Sequence, residues 1–155
     1  MPGATMADAD LCLRLYEQRR ERVLRRAREW FMEFRPRGYD DVVAVLEGRE
    51  GRKAARYFRQ ATSYWEMVAA VMTSGAVSTE GRALFVETTR EFFFVYAKLL
   101  PFLEAHRART SPRFLRRLEE FCRSLPDHDA LLDYVARMTG GAPSARDDGG
   151  KRRKG

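Results

Sequence analysis

The sequence predicts an all-α protein: a bundle of five helices plus one short helix, built round an antiparallel helical hairpin. Three observations predict it. Apolar residues recur at spacings of three and four over long stretches, the period of a half-buried helix. Strand-like alternation bounded by turn residues is nearly absent. Five of the six prolines (Pro2, Pro36, Pro112, Pro126, Pro143) stand where a helix begins or a loop runs, and only Pro101 interrupts an apolar run. With 155 residues, 45% of them hydrophobic, the chain is long enough for one domain with its own core. The reading is a single helical domain over 1–139 and a disordered basic tail over 140–155.

Thr5 and Asp8 outline a capping box. From there the pattern reads as one helix to about Phe34, with Leu13, Tyr16, Arg20, Val23, Ala27, Trp30 and Phe34 on one stripe and Arg20 its single break. Its arginine-rich first half has fewer anchors and suits either a solvated helix or a short arm that dimerises. Arg35-Pro36-Arg37-Gly38 ends it, since the residue before proline is pushed out of the α region. A short helix, 41–47, capped by Asp40 or Asp41, stops at Gly48. A long helix follows from Arg52 to Thr73, burying Ala54, Ala55, Phe58, Ala61, Thr62, Trp65, Val68, Ala69 and Met72, and closes at Ser74-Gly75. Ser78 or Thr79 caps its hairpin partner, 79–107, which Pro101 kinks.

The partner helix holds the densest aromatic cluster, Phe92-Phe93-Phe94-Val95-Tyr96. At about 100° per residue these side chains close most of a circle, wider than one core-facing stripe needs. The helix is therefore central, or it offers a second apolar face to another chain. Ser111 and Pro112 open the next helix, running to Ser124 and burying Phe114, Leu115, Leu118, Phe121, Cys122 and Leu125. A last helix, 127–138, rests on Leu131, Tyr134, Val135 and Met138 and stops at Gly140-Gly141.

The formal charge is +7, of which the segment 140–155 carries +3. Arginine outnumbers lysine 25 to 4, which either a binding need or genome composition produces. Cys12 and Cys122 form no ligand cluster, and residues 1–10 have no secretory character, so a reducing cytoplasm is expected. No apolar run is long enough for a membrane span, because Lys98 interrupts the best one.

Neither His106 nor His128 stands in a metal-ligand pattern with Glu, and no metal or other cofactor is expected. His128, between Asp127 and Asp129 at a helix start, and a Cys122–His128 pairing are the nearest approaches to catalytic chemistry. Glu91 is expected in a structural ion pair with Arg59 or a residue near Arg90. The chain therefore reads as a non-enzymatic interaction module, self-associating or bound to a helical partner, with Tyr16, Val23, Trp30, Phe93 and Phe94 as interface candidates. The alternative is nucleic-acid association through Arg52, Arg56 and Arg59, an i, i+4, i+7 stripe with Lys53 beside it. A small-molecule pocket lined by Trp65, Phe92 and Tyr96 is a third option, set against packing of those rings in the core.

The order Ala54-Ala55-Arg56-Tyr57-Phe58, Gly75-Ala76-Val77, Leu84-Phe85, Tyr96 and Leu100-Pro101-Phe102-Leu103 with Arg107 resembles a widespread family of small, uncharacterised bacterial all-helical proteins. The resemblance covers about 35–109. It departs where that family has a tryptophan beside the tyrosine, since Phe94 or Val95 stands there. It implies a helical fold, bacterial origin and self-association, and it carries no activity or site residue.

Overall fold

In the computed structural model, residues 3–140 are described, and the tail expected to be disordered lies beyond them apart from Gly140. The described residues form helices joined by short turns and contain no strand. They are α1 (Met6–Gln18), α2 (Arg22–Glu33), α3 (Tyr39–Leu46), α4 (Arg52–Thr73), α5 (Thr79–Thr88), α6 (Glu91–Leu99), a 3-10 turn (Leu100–Phe102), α7 (Leu103–Arg109), α8 (Arg116–Arg123) and α9 (His128–Thr139).

Two of the expected helices are broken. The first is a pair, α1 and α2, because the Glu21 carboxylate accepts from the amides of Val23 and Leu24 at 3.1 and 2.9 Å and starts a new helix there. The break falls beside Arg20, the residue that interrupted the stripe, and it rephases what lies before it. Cys12 and Leu15 turn inward, while Leu13 and Tyr16 stay 68% and 54% exposed. The second break is at Thr89, whose extended backbone (φ −158°, ψ 147°) separates α5 from α6. The turn expected near Pro101 is present as the 3-10 segment before α7.

α4 runs over the expected residues, and every position of its predicted stripe is buried. It is the central helix, with α2 and α8 packed along it. The hairpin partner reaches α4 through α6, whereas α5 turns away to pack on α1. That α1–α5 crossing is close. Asp8, in the α1 capping box with Thr5 (Asp8 amide to Thr5 Oγ1, 3.1 Å), also accepts from the Ser78 hydroxyl that caps α5, at 3.0 Å. These bonds, first those from Thr5 and then those from Ser78, hold the Asp8 carboxyl below the usual carboxylate range against the opposing effect of burial. Gly81 leaves the space: a Cβ there would stand 2.6 Å from Asp8 Cγ.

α8 begins later than Ser111-Pro112 suggested. Residues 112–115 form a turn that ends with Leu115 in the left-handed region (φ 51°), buried despite that backbone. The N-terminus of α8 is capped from another helix. Glu66 of α4 accepts from the amides of Arg117 and Leu118 at 3.0 and 2.8 Å, placing a carboxylate at the positive end of the helix. On α9 only Val135 is buried. Tyr134 and Met138, expected as core anchors, are 44% and 55% exposed.

Candidate functional site

The aromatic run is absorbed by its own chain. Phe92, Phe93, Val95 and Tyr96 are all buried, so Phe93 is not an interface residue. α6 is central enough to use most of its circumference, touching α2, α4, α8 and α9. Phe92 meets Trp65, Phe85 and Phe121 at centroid distances of 6.2, 5.8 and 5.1 Å. Phe93 meets Tyr96 and His128 edge to face at 5.3 and 5.8 Å. Trp65, Phe92 and Tyr96 pack in the core, as the reading set against a small-molecule pocket between them required. Phe94, half-buried, lies against Tyr134 of α9. Trp30 is also half-buried, stacked on Phe34 at 4.8 Å, and Val23 is half-buried. Of the five interface candidates, Tyr16 alone is exposed.

Three polar groups hold α6 in place. Glu91 takes both Arg28 Nε, at 2.7 Å, and Arg28 Nη2, so its ion-pair partner comes from α2 and is neither Arg59 nor a residue near Arg90. The pair keeps the Arg28 guanidinium charged more firmly than usual. Lys98, buried, donates to the Phe31 and Met32 carbonyls at 2.8 and 2.7 Å, satisfying the open C-terminal end of α2. Burial, with the Arg35 charge second, pushes Lys98 down to about 8. Tyr96 Oη lies 2.9 Å from His128 Nε2, and His128 Nδ1 lies 2.8 Å from Asp129 Oδ1. Burial pushes Tyr96 up to about 12, so the phenol stays protonated and able to donate a hydrogen bond.

That chain of bonds contains no activated nucleophile. Cys122 is fully buried and its thiol is pushed far above the ordinary range by desolvation, the opposite of what a reactive cysteine needs. His106 is tied to Tyr39 at 3.0 Å, and burial lowers its pKa. Among the described residues, no three of His, Cys, Asp or Glu converge as metal ligands, and no helix is long and apolar enough to cross a membrane.

Among the described residues, two of the open surfaces bear on the expected partners. On α1, Met6 is 86% exposed, and with Leu13 and Tyr16 it falls within an arc of about 80° on a helix. Met6 and Leu13 were not among the interface residues expected from the sequence, Leu13 standing instead on the stripe that leads into Val23–Phe34. The signal for both was the stronger inward set Cys12–Leu15, visible only once the break at Arg20 is treated as a helix end. On α4, Arg52, Arg56 and Arg59 are all exposed, as their stripe opposite the apolar face required, and among the described residues none makes an ion pair.

A family model matches residues 4–125, from the capping box of α1 through the end of α8. The chain belongs to the family described as Domain of unknown function (DUF4760). The match takes in both open surfaces and the whole aromatic core, and α9 lies beyond it. It also reaches well past the 35–109 segment on which the resemblance rested. No curated protein and no solved structure matches the chain.

Proposed function

We propose that this DUF4760 chain is a non-enzymatic helical interaction module that associates with a second copy of itself through the outward face of α1. The observation that carries the reading is the uncovered set Met6, Leu13 and Tyr16 on one helix whose opposite face is fully engaged with α5 and with Tyr64, whose hydroxyl donates to the Leu15 carbonyl at 2.7 Å. Charge order along α1 favours a second copy over an unrelated partner. With Asp8 turned inward, the exposed charge of the N-terminal half is Asp10, and the C-terminal half and the turn after it carry Arg14, Arg19 and Arg20 against Glu17. Two such helices laid antiparallel about a two-fold axis near Cys12 set each acidic half against the other's basic half, an isologous arrangement. Asp10 and Arg14, now paired within one helix at 2.9 Å, would exchange partners across the axis. Buried, unpaired cysteines suit a reducing cytoplasm as the compartment. Light scattering after size exclusion tests the reading. A dimer at micromolar concentration that becomes a monomer in Leu13→Asp/Tyr16→Asp supports it, and a wild-type monomer sinks it.

A second reading rests on the unpaired Arg52, Arg56 and Arg59. They offer three adjacent phosphate contacts, so binding to generic duplex DNA should weaken with salt and fall further in the triple alanine variant. Binding unchanged by the triple substitution rejects this face.

A further inference from the structure

We propose that the groove between the Arg35–Arg37 connection, the Pro101 turn and α9 binds an anion carried on an apolar chain, the simplest member of the class being a medium-chain carboxylate. The groove is a cavity of about 840 Å³, within the range of small-molecule sites. Its walls are apolar: Pro36, Leu100, Pro101 and Phe102 on one side, Leu132 and Val135 on the other. Among the described residues its ionisable lining consists of Arg35, Arg37 and Lys98, with no Asp or Glu. The two arginines are exposed, and Lys98 is buried.

The imbalance of charge is what points to an anion. The other large cavity, about 640 Å³ between α4, α5 and α8, also holds two arginines, but Glu87, Glu120 and Asp127 line it too, and Arg90 is paired to Asp127 at 2.9 Å. Its cations are outnumbered by acids. In the Pro101 groove they are not: among the described residues neither Arg35 nor Arg37 forms an ion pair. A smaller hollow on the far side of the same arginines is lined by Asp41 and Glu50; Asp41 accepts from the Arg37 backbone amide at 2.7 Å, and among the described residues neither acid forms an ion pair with the two guanidinium groups. Lys98 spends two of its three N–H donors on the α2 carbonyls and, among the described residues, meets no carboxylate. Three cations crowd one apolar groove, and Arg35 already depresses the Lys98 pKa. A carboxylate relieves that repulsion, and its alkyl chain covers the Pro101 and α9 walls.

Isothermal titration of the full chain with decanoate tests the site, with decanol, inorganic phosphate and decyltrimethylammonium as companions, each kept below its micelle concentration. The expected result is saturable one-to-one binding of decanoate, tighter than decanol by about tenfold or more, with no measurable binding of the cation or of phosphate. Arg35→Ala/Arg37→Ala changes only exposed side chains and should cost decanoate about tenfold while leaving decanol unchanged. Ala136→Trp, which fills the α9 wall, should abolish both. Equal affinity for decanoate and decanol, phosphate binding as tightly as decanoate, uptake without saturation, or indifference to both variants would each overturn the proposal.

Discussion

α6 and α1 present the same kind of residue to opposite fates. α6 carries four large apolar side chains in five positions, and Phe92, Phe93 and Tyr96 disappear among neighbours on four sides. α1 spreads its large apolar side chains over more positions, and Met6, Leu13 and Tyr16 stand in solvent. Aromatic density therefore marks the centre of this bundle, and the open apolar face lies on a helix that looks unremarkable by composition. Coverage decides the outcome. α6 runs through the middle of the fold, while α1 has α5 and the end of Tyr64 on one side only. An apolar residue left uncovered on a helix that is otherwise well capped marks a contact better than a cluster does.

The largest expected break in that contrast is Phe93→Ala. The ring is 1% exposed, and its removal leaves a cavity beside Tyr96 and His128. We expect a loss of about 3–5 kcal/mol in denaturant unfolding, with no change in oligomeric state among molecules that remain folded. A loss under about 1 kcal/mol would mean that the ring is not packed as described.

Next comes the pH dependence of Lys98, the one buried cation on α6. Its folded pKa of about 8 lies below the ordinary lysine value of 10.5, so the charged form is disfavoured in the folded state. Below about 8 the lysine is protonated in both states and the cost is present in full. Between about 8 and 10.5 the unfolded chain binds more protons, and stability rises with pH. Relative to Lys98→Met, the wild type should gain up to roughly 3 kcal/mol across that window, read by urea midpoints at several pH values. A difference that stays flat or falls contradicts the buried placement.

Gly81→Ala addresses the packed side of α1. The added methyl would displace Asp8 from Thr5 and Ser78, and a cost of about 1–3 kcal/mol is expected. Asp8→Asn, which keeps the shape and removes the charge, should lose less at neutral pH and nothing further in acid, because the depressed Asp8 contributes stability only above its folded pKa.

Much of this fold was legible in the sequence, for identifiable reasons. α4 runs over its predicted residues because a long one-sided stripe, Gly51 before it and Ser74-Gly75 after it all agree. The Thr5–Asp8 box and the Ser78 cap are local and were legible too. What escaped depends on residues far apart in the chain. Glu66 caps a helix 51 residues on, and Arg28 reaches Glu91 across 63. The break at Glu21 escaped for another reason: periodicity carried a stripe across it and aligned Leu13 and Tyr16 with the core-packing set Val23–Phe34. For the candidate surfaces the result is mixed. Arg52, Arg56 and Arg59 were legible as an exposed stripe from helical geometry alone. The α1 face held only Tyr16 of the interface candidates, since the others belong to helices whose neighbours no local pattern reveals.

The central claim is that α1, and not the aromatic helix, is where this molecule meets a second copy. Sedimentation equilibrium of three chains tests it most directly: the wild type, Leu13→Ser/Tyr16→Ser on α1, and Phe94→Ser on α6. The α1 substitutions remove exposed side chains, Tyr16 losing the Arg19 guanidinium 4.9 Å from its ring centre, and should change the stability of the folded monomer by no more than about 1 kcal/mol. The account predicts a dimeric wild type, a monomeric α1 variant and a dimeric Phe94→Ser. A dimer that survives the α1 substitutions and dissociates with Phe94→Ser would contradict it.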